Sequence, residues 1–100
     1  MDSSKNIFGQ LLTEGLYRIK LQEGKPLSVI QDELGYAIGR DAGGSPLAYW
    51  RRGNVPTNIQ EFVNLLQHMV RRGNINREWI ERLVSQTEYS VEAICDAVSF

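Results

Sequence analysis

A single cysteine, Cys95, and a single histidine, His68, set the first limits on this chain of 100 residues. One thiol excludes an internal disulfide and fits a reducing compartment. One histidine and one cysteine among scattered carboxylates lack the ligand spacing of a zinc site, so no metal is expected. Cys95 reads as a small buried hydrophobe, and His68 as a surface or boundary residue of a helix. No apolar run approaches the roughly 20 residues that a membrane helix requires. The opening Met1-Asp2-Ser3-Ser4-Lys5-Asn6 is polar and lacks the apolar stretch of a secretory signal, so a cytoplasmic location is expected. Gly43-Gly44-Ser45 lacks the lysine and the glycine spacing of a nucleotide-binding loop, although its amides are placed to meet a single phosphate. No nucleophile–base arrangement stands out. The expectation is therefore a protein that is not an enzyme, with no cofactor and no small-molecule substrate.

What is present is enough apolar material for a core: 42% of the residues, with 23% charged, close to a globular average. The net charge of -1 argues against holding nucleic acid by bulk charge, but the charges are segregated. Residues 40–77 carry six basic side chains (Arg40, Arg51, Arg52, Arg71, Arg72, Arg77) against Asp41 and Glu61. Residues 78–100 carry Arg82 against five acids. Such segregation either builds a basic and an acidic face, through which copies of the chain would associate, or reflects ordinary solvated helix charges.

The apolar spacing predicts helices throughout and no sheet. Phe8, Leu11, Leu12, Leu16 and Ile19 form a stripe at three- and four-residue spacing from about Ile7, with Gly15 marking a helix crossing. A second helix spans roughly Leu27 to Ile38 and is stopped by Gly39. Ser45 as cap and Pro46 at the first position start a short third helix that ends near Arg52. Thr57 and Gln60 match a capping box before a fourth helix carrying Ile59, Phe62, Val63, Leu66, Met69 and Val70. Asn74 or Asn76 caps a fifth helix bearing Trp79, Ile80, Leu83 and Val84. Ser90 caps a sixth bearing Val91, Ile94, Cys95 and Val98. The fold class predicted is all-α: a compact five- to six-helix bundle. Its parts are a flexible tail over residues 1–6, a helix-turn-helix core over 7–73 and a packed C-terminal helical extension over 74–100.

The sharpest local pattern runs from Val29 to Gly39: apolar residues at Val29, Leu34 and Ile38, the small Gly35, and a terminal glycine. A helix lying beneath a second one at a steep angle needs this arrangement. Leu47 and Trp50, three apart, would then plug the core, leaving Ser45, Ala48, Tyr49 and Arg52 on other faces. Gln31-Asp32-Glu33-Leu34, Gly39, and Trp50-Arg51-Arg52-Gly53 with Pro56 resemble the Cro/lambda-repressor (Xre-type) helix-turn-helix family over about residues 8–70. The resemblance implies double-stranded DNA as partner. Gln31 would bond a phosphate. Ser45, Ala48 and Tyr49 would enter the major groove. Arg40, with Arg51 or Arg52, would touch the backbone. The turn is about two residues longer than is usual in the family, and Pro46 and Ala48 replace polar residues that often read bases.

Asn76-Arg77-Glu78-Trp79-Ile80-Glu81-Arg82, following such a core, looks like the N-terminal modules of bacterial STAND-type (NACHT or NB-ARC) regulatory ATPases. Six small helices also suit a death-fold-like adaptor. That resemblance implies a protein partner, with Arg71, Arg72, Arg77 and Trp79 as the contact surface. Two readings thus stand: DNA binding in transcription regulation, and protein interaction within a larger signalling or defence protein.

Overall fold

A computed structural model describes residues 6–41 and 43–99. Among these the chain forms six α-helices: α1 (Ile7–Glu23), α2 (Leu27–Ala37), α3 (Ser45–Arg51), α4 (Ile59–Gly73), α5 (Arg77–Val84) and α6 (Val91–Val98). No strand is found among the described residues. The all-α bundle expected from the apolar spacing is therefore what forms. The tail expected over residues 1–6 lies outside the described residues except for Asn6, which is half-buried at the start of α1.

The central element is α1, which packs against α2, α3, α4 and α5. Its stripe of Phe8, Leu11, Leu12, Leu16 and Ile19 is buried as the spacing requires. Opposite it, α4 buries Phe62, Val63, Leu65, Leu66 and Met69. Leu65 joins this core although it stood outside the predicted stripe, and Ile59 is left exposed at the first turn. The C-terminal pair closes the bundle from one side, α5 on α1 and α6 on α4. Apolar residues from all six helices form a single cluster, so residues 74–100 share the core of residues 7–73.

Two glycines allow these approaches. A Cβ on Gly15 would sit 2.5 Å from the Trp79 ring, so only glycine lets α5 lie this close to α1. On Gly35 a Cβ would run into the Gly43 carbonyl, so what Gly35 admits is the turn backbone itself. Gly43 in turn adopts φ +63, a conformation that L side chains rarely take.

The helix starts obey capping chemistry, with two corrections. Asn76 and Ser90 cap α5 and α6 as expected, accepting from the Trp79 and Ala93 N–H groups at 3.3 and 3.2 Å. Asn74, the alternative cap for α5, is instead the left-handed C-cap of α4. The α4 cap is Asn58, not Thr57: the helix begins one residue later than the Thr57–Gln60 spacing implies. The Asn58 side chain accepts from the Glu61 N–H at 3.0 Å. Likewise Gly44 takes the cap position of α3, with Ser45 as its first residue.

Candidate functional site

The α2–turn–α3 unit carries the residues singled out in the sequence. Pro46, Leu47 and Trp50 occupy the inward side of α3. One hundred degrees per residue then turns Ser45, Tyr49 and Arg52 outward, with Ala48 at the margin. The burial follows this geometry: Ser45 and Arg52 are exposed, Tyr49 is 54% exposed, and Ala48 is half-buried. This outward ridge is not a packing surface for α5 or α6, which lie against α1 and α4.

Both flanks of the ridge are tied to the body by side chains distant in sequence. On one flank, Arg51 Nη1 donates to Gln31 Oε1 at 2.7 Å, and Arg51 Nε donates to Thr13 Oγ1 at 2.9 Å. Gln31 and Arg51, both half-buried, are thus brought together. On the other flank, the Arg40 guanidinium forms a two-pronged pair with the Glu61 carboxylate and stands 5.8 Å from the Trp50 ring centroid. This contact holds the Glu61 carboxyl below, and the Arg40 guanidinium above, its ordinary range. Beside it runs an open groove of about 670 Å³, lined by Ser45, Tyr49, Asn54, Val55 and the Arg40–Glu61 pair.

The start of α3 is capped from α2. Asp32 Oδ1 accepts the Gly44 N–H at 2.9 Å. That amide is therefore not offered to a phosphate, which removes one of the amides expected of Gly43-Gly44-Ser45, and the capping carboxylate adds negative charge there. Within the unit Arg40, Arg51 and Arg52 are matched by Asp32, Glu33 and Asp41, leaving it close to electrically neutral.

The second predicted surface is dispersed. Trp79 is 2% exposed, and its Nε1 donates to the Leu11 carbonyl at 2.8 Å, so it is a core residue and not a surface anchor. Arg72 is held by Glu23 at 2.7 and 2.9 Å and also by Glu33, with Lys25 beside both carboxylates. These bonds, with Arg72 the largest cause for Glu23 and Lys25 for Glu33, hold both carboxyls below their ordinary range. Arg72 cannot then form a free patch with Arg71. Arg77 pairs with Glu81 one turn on. Arg71 and Arg52 are exposed, and neither guanidinium has an ion-pair partner among the described residues.

His68 is half-buried, and burial, with Arg71 and Arg72 nearby, pushes its imidazole below the ordinary value. Cys95 is buried, which pushes its thiol up. Among the described residues no cluster of three or more His, Cys, Asp or Glu side chains is placed to hold a metal, and no helix is long and apolar enough to cross a membrane. Sequence reasoning passed over Thr13, Asp32 as a cap, and Glu61 as the partner of Arg40. Only Asp32 had a local signal, lying in the Gln31-Asp32-Glu33-Leu34 motif.

No family model, no curated protein and no solved structure matches this chain.

Proposed function

We propose that this chain is a non-enzymatic helix-turn-helix module that binds double-stranded DNA through α3, which implies a cytoplasmic site of action. The observation that carries this reading is the outward ridge of Ser45, Ala48, Tyr49 and Arg52, left open by a C-terminal pair that packs elsewhere. An exposed helix ridge suits the major groove, with Arg52 and the amide nitrogen of Gln31 reaching the backbone on either side. None of Ser45, Ala48 and Tyr49 makes the two-pronged contact of arginine, asparagine or glutamine with a base, and Arg52 is given to the backbone, so sequence discrimination is shallow.

The ion pairs refine the expectation. With Arg40 bound to Glu61, Arg51 bound to Gln31 and Thr13, and Asp32 at the start of α3, only about one or two phosphates are neutralised, so log K falls with log salt at a slope of about -1 to -2. Fluorescence anisotropy against random duplex at about 50 and 200 mM salt checks this. Micromolar binding with that slope, lost in Arg52→Glu, is the expected result. No binding at micromolar protein and low salt would sink the DNA reading.

A specific observation favours a second reading, that of a protein-interaction module within a larger bacterial regulator. The α2–turn–α3 unit is near neutral, and Tyr36 (62% exposed) and Tyr49 stand out from it, the residue type that dominates interface hot spots. Under this reading duplex DNA fails to bind, and Tyr36→Ala and Tyr49→Ala abolish association with the rest of the regulator without unfolding the domain.

A further inference from the structure

The contacts around Arg51 fix more than the packing of α3. Thr13 Oγ1 donates its proton to the Gly9 carbonyl at 2.8 Å, so toward Arg51 it can only accept. Arg51 Nε fills that acceptor, which sets the plane of the guanidinium. Nη1 then meets the Gln31 side chain at 2.7 Å. A guanidinium has donors alone, so the Gln31 amide must turn its oxygen toward Arg51 and its NH2 group away. That NH2 has no hydrogen-bond partner among the described residues. The Gln31 stem lies beside the start of α3: a Cβ placed on Gly44 would be 3.1 Å from the Gln31 Cβ.

We infer that Arg51 is a positioning residue: through Thr13 and the α1 backbone it holds the Gln31 amide so that two N–H donors face outward at the junction of α2 and α3. The ligand group this serves is an anionic oxygen, a backbone phosphate of duplex DNA. The inference rests on the DNA reading for its ligand, but not for its geometry. It also divides the labour of the two neighbouring arginines. Arg52, exposed and without an ion-pair partner among the described residues, meets phosphate directly, whereas Arg51 acts through Gln31.

The test uses the whole chain and two readouts. The first is the order of the Gln31 side-chain NH2 in the free protein, by nitrogen-15 relaxation. It is rigid in the wild type, and mobile in Arg51→Lys and in Thr13→Val. Lysine keeps the charge of arginine but lacks the fork that spans Thr13 and Gln31. The second is affinity for random duplex. Arg51→Lys and Gln31→Leu each weaken it about tenfold, the double variant no further, and the salt slope stays unchanged in Arg51→Lys. In Arg51→Met an unchanged slope is also expected, whereas a direct phosphate contact would lower it by about 0.9. A mobile Gln31 amide in the wild type, additive losses in the double variant, or a lowered slope in Arg51→Met overturns the inference. A rigid amide that Arg51→Lys loosens, in a protein that binds no DNA, sustains the positioning role and refutes the DNA reading alone. Circular dichroism melts confirm that each variant remains folded, and Thr13→Val supplies an independent route to loosening Arg51.

Discussion

The two ends of this small bundle are held by different forces. α5 and α6 bury seven apolar side chains: Trp79, Ile80, Leu83, Val84, Ile94, Cys95 and Val98. α2 and α3, slightly longer in total, bury five: Ile30, Leu34, Pro46, Leu47 and Trp50. The α2–α3 end makes up the difference with polar ties between distant residues: Asp32 to Gly44, Arg40 to Glu61, Arg51 to Gln31 and Thr13, and Arg72 to Glu23 and Glu33. At the other end the ties between distant residues are fewer: Trp79 to the Leu11 carbonyl, Tyr89 to the Pro56 carbonyl, Gln67 to the Ala97 carbonyl and Arg82 to Glu14. Glu78, Glu88 and Glu92 are exposed there, with no ion-pair partner among the described residues. Apolar burial is strong but undirected, whereas hydrogen bonds and ion pairs contribute less yet fix direction. The C-terminal end therefore supplies cohesion, and the α2–α3 end supplies a surface of defined shape.

The largest expected effect breaks the apolar end. Trp79→Ala removes the ring that fills the gap over Gly15, together with its bond to the Leu11 carbonyl. A loss of about 3–5 kcal/mol is expected in urea unfolding, a large fraction of what a domain this size holds. Gly35→Ala attacks the opposite end. Its methyl meets the Gly43 carbonyl, and backbone yields less readily than a side chain, so about 2 kcal/mol is lost despite the gain in helix propensity. Because the strain falls on the turn, ligand binding through α3 weakens further than stability alone accounts for. A Gly35→Ala protein as stable as the wild type would show that the turn is not seated this tightly.

Arg72→Met is next. It removes the shared partner of Glu23 and Glu33 and leaves both to Lys25, and because these groups are partly solvated the loss is about 1–2 kcal/mol. The same cluster gives a pH signature. Glu23, Glu33 and Glu61 titrate lower in the folded chain than the ordinary value of 4.5, so their stabilisation is complete above that value and fades as pH falls below it. Chemical denaturation from pH 6 to about 3 checks this, and the gap between wild type and Arg72→Met closes at the acid end. The smallest effect is that of His68. Burial lowers its proton affinity, so stability is full above 6.5 and declines as pH drops through the ordinary histidine range. His68→Gln flattens that segment of the profile and leaves the acid limb in place.

The sequence carried the helices well because their signals are local. The stripe on α1, the inward pair Leu47 and Trp50, and the cap Ser90 all depend on residues within one or two turns, and each reads correctly, while the choice between Asn74 and Asn76 stays open in the sequence. Where local signals compete, the reading slips by one position. Thr57 and Asn58 both offer a capping side chain, and the helix starts after the second. At α3 a side chain from α2 completes the cap, which no inspection of Ser45-Pro46 reveals. Trp79 stood in the sequence both on the apolar face of the fifth helix and in the contact surface, and the structure decides for the core. An amphipathic helix shows which residues share a face, and here that face is claimed by Gly15 on α1.

What the sequence determined by itself is the six-helix framework and the outward ridge of Ser45, Ala48, Tyr49 and Arg52, since helical periodicity depends on spacings of three and four. What only the tertiary structure decided is which cations remain available. Arg40 finds Glu61 across 21 positions, and Arg72 finds Glu23 across 49. A charge count weighs all arginines alike. Pairing depends on distance through space, and that distance is set only when helices far apart in sequence pack together.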